Sequence, residues 1–264
     1  MLNTHRPLRV AVLCSHQAPG LLHLLNRSPA RGVAFEIVCC VTSETTFAEE
    51  VRVERRGIPT LAHSIAAFCD AHGASLYHDL DARADYDRET LRLVEPFLPD
   101  LLLLDGYLYL VTPALLRRFR NRVLNLHFSD LTLRTIDGRP RFPGLRAVRD
   151  ALAEGLRETR ATVHLVNDAL DDGPPIARSW SYPVSPLVEE LRTQNADDVF
   201  KAYAFAHEQW MMRTASGPVI AAAFELIAAG AVDLDALAAG ARAGEAPWTL
   251  DRSGCLPAPE VAVA

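Results

Sequence analysis

The chain has 264 residues, 49% of them hydrophobic and 23% charged, which is enough to bury a substantial core in one domain with an appendage. Its net charge is −6 and it holds no Lys-rich run, which excludes the basic surface a nucleic-acid partner needs. The most apolar stretch, 217–232, is broken by Glu225 and is too short to span a bilayer, so no membrane partner is expected.

The N-terminus is polar up to Leu8 and reads as the lead-in to a first strand, not a signal peptide. Arg9-Val10-Ala11-Val12-Leu13 is a continuous apolar run of the kind buried on both faces of a parallel sheet. A helix is expected from Leu21, a strand over 35–41, and a helix over 44–56 closed by Gly57. A short strand over 58–61 and a helix over 65–72 follow. Next come an amphipathic helix over 85–97 and the strand Leu101-Leu102-Leu103-Leu104. Pro113 opens a helix at a permitted first-turn position. Residues 123–126 form the next strand, 128–144 a long loop, and 145–156 a helix. Strands over 162–166 and 176–182 flank a turn, and helices fill 196–228 and 233–241 before a Pro-containing tail. Alternation of this kind predicts α/β architecture, a three-layer sandwich around a mostly parallel sheet. The division expected is an α/β domain over 1–190, with C-terminal helices and tail over 191–264 packed on it.

Five cysteines, Cys14, Cys39, Cys40, Cys69 and Cys255, form no CxxC pair, and the first four lie in or beside apolar segments. Reduced buried thiols in a cytoplasmic protein are the economical reading, with no metal site. The acidic run Asp79, Asp81, Asp85, Asp87 beside His78 reads as a helix N-terminus.

Chemistry concentrates in Asn125-Leu126-His127. Side chains alternate along a strand, so the amide and the imidazole share one face. A carboxylate on the later turn Leu170-Asp171-Asp172-Gly173-Pro174 can meet them. A hydrogen-bond donor, a titratable base and an acid suffice for acyl transfer. Taken singly, Asp171 is ordinary turn chemistry and Asn125 an ordinary strand end. The spacing from His164 raises Asp171 above that reading, and the ordered set of motifs raises Asn125. His164 itself reads as a buried neighbour of Asp171.

Several segments, taken in order, resemble the 10-formyltetrahydrofolate-dependent formyltransferases, with a pattern most like that of the glycinamide ribonucleotide formyltransferases. They are Leu101 to Tyr107, Thr112-Pro113, Val123 to His127, Pro143-Gly144-Leu145, Thr162 to Val166, and Leu170 to Pro175, with a weaker match at 248–257. The resemblance implies that Asn125, His127 and Asp171 are catalytic and that 10-formyltetrahydrofolate is the co-substrate. It places the folate pterin between Tyr107, Leu108, Tyr109, Leu110 and Val111 on one side and Asp168, Ala169 and Leu170 on the other. The acceptor is then a small-molecule amine, bordered by His16, Gln17, Gly20, Arg141, Gly144 and Glu208. A homodimer is the oligomer considered.

Two departures fall on the acceptor side. The family's phosphate-holding loop after the first strand is Ser-Gly-x-Gly-Ser-Asn-like; here it reads Ser15-His16-Gln17-Ala18-Pro19-Gly20, and Pro19 removes a donor. The link after His127 is longer and carries Arg134, Arg139 and Arg141. A formyltransferase with a divergent acceptor is therefore expected. The alternatives are a phosphoribosylglycinamide formyltransferase of purine biosynthesis, a sugar-nucleotide N-formyltransferase, and a non-catalytic folate-binding protein. Hydrolysis of the donor and formylation of methionyl-tRNA are set aside, because the family members that perform them carry an additional domain. A nucleotide-dependent dehydrogenase is set aside for want of GxGxxG.

Overall fold

Leu8–Cys14 (β1) is apolar at nearly every position because helices cover both of its faces. The computed structural model describes residues 6–27, 34–75, 79–194, 196–240 and 247–254. β1 pairs in parallel with Phe35–Thr42 (β2) on one side. On the other side it pairs in parallel with Leu101–Leu104 (β4). Thr60–Ala62 (β3) lies beyond β2, and Val123–His127 (β5) lies beyond β4, both parallel. The chain then reverses. Thr162–Leu165 (β7) runs antiparallel to β5, and Pro175–Arg178 (β8) antiparallel to β7. Trp248–Thr249 (β10) closes the edge in parallel with β8, giving the order β10-β8-β7-β5-β4-β1-β2-β3. Glu158–Thr159 (β6) and Tyr182–Pro183 (β9) form a separate two-stranded sheet.

The sheet is the middle layer of three. Val10, Val12, Leu101, Leu103, Leu124, Leu126, Val163 and Leu165 face one apolar cluster. It is completed by Leu21–Arg27 (α1), Ala147–Ala153 (α6), Leu187–Thr193 (α7), Asp197–Ala228 (α8) and Leu234–Ala238 (α9). Ala11, Leu13, Leu102, Leu104 and Val123 face the other. There Leu80–Val94 (α4) and Pro113–Arg118 (α5) supply Val94 and Leu115. α8 has 32 residues and approaches α1 closely: a Cβ on Gly217 would lie 2.2 Å from that of His23. Phe224 of α8 meets Phe35 of β2 at 5.0 Å between ring centroids, so the C-terminal helix belongs to the main core.

Several elements differ from the sequence reading at their ends. The helix expected over 44–56 is confined to Glu50–Glu54 (α2). Upstream, the Glu44 N–H donates to Thr42 Oγ1 and the Ala48 N–H to the His16 carbonyl, so these groups are satisfied outside a helix. α4 begins at Leu80, not Asp85, because Asp79 caps it by accepting the Ala82 N–H. Ile65–Ala71 (α3) is capped likewise by Ser64. The helix expected over 145–156 is α6, which starts after Gly144 and stops before Gly155, both at positive φ. The strand expected over 176–182 splits into β8 and β9. β10 lies in what read as a Pro-containing tail. Residues 255–257 of the weaker motif, Cys255 and His78 lie outside the described residues.

Candidate active site

β5 presents Asn125 and His127 on the sheet face that also carries Val123, while Leu124 and Leu126 enter the opposite core. Because β7 is antiparallel to β5, His164 stands opposite Asn125 and Thr162 opposite His127. Two strands thereby deliver an amide and two imidazoles to one patch. The turn between β7 and β8 brings in the carboxylate. Asp171 adopts φ 50°, a left-handed conformation that Asp tolerates better than most residues. Gly173 makes this path possible: a Cβ there would lie 1.6 Å from the Leu165 carbonyl oxygen.

The three residues singled out in the sequence converge. Asn125 Nδ2 lies 3.3 Å from Asp171 Oδ1 and 3.2 Å from His164 Nε2. His127 Nδ1 lies 3.5 Å from Asp171 Oδ2, and His127 Nε2 donates to the Phe142 carbonyl at 2.9 Å. The Gly144 N–H donates to Asp171 Oδ2 at 2.8 Å, so the long loop after β5 is tied to the imidazole at Phe142 and to the carboxylate at Gly144. His164 Nδ1 donates to the Leu165 carbonyl at 3.0 Å. That leaves Nε2 as the acceptor for Asn125.

The electrostatics divide the charges. Burial alone would raise the Asp171 carboxyl, but His164 and His127, in the form in which they carry an added proton, together with the Gly144 N–H outweigh it and hold the group at about 2. Burial dominates at His127 and pushes the imidazole below its ordinary value, against the attraction of Asp171. The resting site is therefore an ionised carboxylate beside an imidazole that favours its neutral form.

The apolar segment expected to hold a flat ring follows β4. Tyr107 and Val111 pack on the same apolar cluster as Val166, two residues before Asp168 at the start of the β7–β8 turn. Leu108 and Leu110 are exposed, as are Asp168, Ala169 and Leu170 on the opposite wall. The wall after β4 is held from below. Arg83 Nη2 donates to the Leu110 carbonyl at 2.6 Å, and Asp87 Oδ2 accepts the Thr112 N–H at 2.5 Å. Both side chains are buried on α4, 3.7 Å apart as an ion pair, with Arg83 over the Tyr86 and Tyr109 rings. Asp87 thus lies buried in the middle of α4, not among the acids opening a helix as read from the sequence.

The expected acceptor residues fare unequally. His16 and Gln17 are exposed, and Gln17 Nε2 lies 3.5 Å from Met212 Sδ. Glu208 is half-buried one turn before Met212 on α8, and burial raises its carboxyl. The Gly20 N–H is not open to a ligand: it donates to both oxygens of Asp105, at 2.9 and 3.2 Å. Arg141 pairs with exposed Glu154, at 2.6 Å, and not with the Asn125–Asp171 group. Arg134 pairs with Asp172. Sequence reasoning missed Asp105, Arg83 and the Phe142 carbonyl. An acid directly after four leucines was a signal available for the first; a carbonyl leaves none.

Among the described residues, no group of three or more His, Cys, Asp or Glu is placed to hold a metal, and no helix is long and apolar enough to cross a membrane. Cys14, Cys39, Cys40 and Cys69 are free and buried.

A family model described as formyl transferase matches residues 8–214. The chain is 29% identical over 189 residues to the trifunctional purine biosynthetic protein adenosine-3 of Drosophila melanogaster. That match covers 71% of this chain and 12% of that protein. It is 27% identical over 201 residues to the formyltetrahydrofolate deformylase of Escherichia coli (strain K12), covering 76% of this chain and 61% of that one. Among solved structures, glycinamide ribonucleotide transformylase 1 from Symbiobacterium toebii superposes with a TM-score of 0.61 at 26% identity. It covers 85% of this chain and 89% of that one. The chain thus spans a small part of the first relative and under two thirds of the second.

Proposed function

The chain belongs to the formyl transferase family, and from that premise we propose that it moves a formyl group from 10-formyltetrahydrofolate to an amine on a small-molecule acceptor. The observation that carries this reading is that Asn125 and His127 each lie within 3.5 Å of Asp171, beside an apolar rim. The acceptor amine attacks the formyl carbon, negative charge develops on the formyl oxygen, and the bond from that carbon to N10 breaks. Asn125 Nδ2 donates to the oxygen, exchanging its long bond to Asp171 for the new one. His127 gains a proton more readily as negative charge develops beside it, and ionised Asp171 supports that charge. Asp171 also accepts the proton leaving the attacking amine, which ends on N10 directly or through water. Exposed Leu108, Leu110 and Leu170 suit a flat ring. Buried free thiols suit a reducing, cytoplasmic setting.

Similarity to a deformylase supports a second reading, in which water takes the amine's place at the same three residues. One experiment separates them. The protein is incubated with 10-formyltetrahydrofolate and a panel of amines, with tetrahydrofolate, formate and formylated product measured together. Amine-dependent tetrahydrofolate without formate supports transfer, and formate without amine supports hydrolysis. Donor turnover in neither case rejects both.

A further inference from the structure

In a parallel sheet, ligands bind beyond the strand C-terminal ends, and the loop from β1 to α1 reaches that place beside β4. Amides opening a helix carry partial positive charge and ordinarily receive an anion. Here the chain supplies its own. We infer that Asp105, assisted by Glu49, is an internal anion that fills this loop and makes the protein select acceptors bearing no phosphate at the α1 end. The inference rests on the formyl-transfer reading for the reaction, but its own readout is ligand binding.

Four backbone amides between Ser15 and Leu21 are spent. The Gly20 N–H is shared between the two Asp105 oxygens, at 2.9 and 3.2 Å. The Ala18 N–H donates to Glu49 Oε2 at 3.2 Å, the Leu21 N–H returns to the Ala18 carbonyl, and Pro19 has none to give. The Ser15 N–H goes to the Gly106 carbonyl. Asp105 is 0% exposed, and among the described residues neither it nor Glu49 forms an ion pair, so the loop amides are their partners. The packing leaves no slack: a Cβ on Gly20 would lie 2.6 Å from Ile220 Cδ1 and 3.2 Å from Asp105 Oδ2. On the other side, a Cβ on Gly106 would lie 2.3 Å from the Gln17 carbonyl.

A phosphate entering this loop would find the Ala18, Gly20 and Leu21 amides taken and two carboxylates in its path, where like charges repel. Burial, partly offset by the Gly20 N–H and reinforced by Glu49, pushes the Asp105 carboxyl up to about 7. In its neutral form the group still accepts the Gly20 N–H through its carbonyl oxygen, so the donor stays spent in either state. Glycinamide ribonucleotide, the substrate in the name of the Symbiobacterium toebii structure, carries a phosphate. The acceptor class favoured here is a neutral or cationic amine.

The test is calorimetry and thermal shift on the full chain with inorganic phosphate and with glycinamide ribonucleotide. The wild type is compared with Asp105→Gly, Asp105→Asn and Asp105→Asn/Glu49→Gln. The expected result is no saturable binding of either probe at millimolar concentration by the wild type. Asp105→Gly, which frees the Gly20 N–H, should gain about tenfold or more in affinity for both, and the double variant, whose amide oxygens still accept the loop N–H groups, should gain less, through lost like-charge repulsion alone. If Asp105→Gly fails to fold by circular dichroism, the double variant, which keeps side-chain volume, carries the comparison through the smaller gain expected from removing the two negative charges. Saturable micromolar binding of glycinamide ribonucleotide by the wild type, or no gain in any folded variant, overturns the inference. Donor binding is followed separately by folate fluorescence. Its absence would sink the formyl-transfer reading while leaving the phosphate comparison readable.

Discussion

Asn125 and His164 stand directly opposite each other across the antiparallel β5–β7 pair, with Asn125 Nδ2 3.2 Å from His164 Nε2. His164 is itself oriented by its bond to the Leu165 carbonyl, so it sets which way the Asn125 amide points. His164→Ala frees the amide to rotate. A fall of about tenfold to a hundredfold in kcat is expected, with KM for the folate nearly unchanged. His164→Gln, which can still accept from Asn125, should recover part of the loss. Equal rises in KM for both variants would assign His164 to folate binding instead.

Asp171→Asn keeps the shape of the turn and an acceptor for the Gly144 N–H, but removes the proton acceptor and the negative charge beside His127. Formyl transfer should fall by roughly 10²–10⁴-fold while folate binding persists. Single-turnover kinetics with a binding titration checks both halves. Asn125→Ala, which removes a donor to the formyl oxygen, should cost about 3 kcal/mol in kcat.

Acid should destabilise the fold in two steps. Burial depresses the His127 imidazole below its ordinary 6.5, so the unfolded chain takes up that proton first, and stability falls as the pH drops from about 6.5. Asp171, held at about 2 against an ordinary 3.8, stabilises the fold above the latter value by roughly 2 kcal/mol, lost as the pH falls through the former. Denaturant melts from pH 8 to 4 should show a shallower acid slope for His127→Gln than for the wild type. His23, His63 and His207, also depressed by burial, contribute equally to both proteins.

The Arg83–Asp87 pair supports the wall after β4 from inside α4. Arg83→Met leaves Asp87, already raised by burial, without its cation and should cost about 3–5 kcal/mol. Arg83→Met/Asp87→Leu should be less destabilised than Arg83→Met alone, because no charge remains buried. Both should raise KM for the folate by loosening residues 107–112. Melting curves and steady-state kinetics on the three proteins check the order. A double variant less stable than the single would contradict it.

The architecture and the three candidate catalytic residues were legible in the chain because they depend on local rules. Short apolar runs such as Val10–Leu13 and Leu101–Leu104, bounded by turn residues, suit strands buried on both faces, and period-two alternation commits Asn125 and His127 of a strand to one face. Helix ends were less legible: α2 and α4 are bounded by bonds from Ala48 to His16 and from Ala82 to Asp79. The antiparallel return of β7 sets His164 against Asn125. A left-handed turn at Asp171 brings the carboxylate back over β5, and a fully buried Asp105 takes the amide that motif reading had left to a phosphate. These are meetings of residues tens of positions apart. No local preference encodes them, because a hydrogen bond between distant groups exists only once packing has brought the groups together.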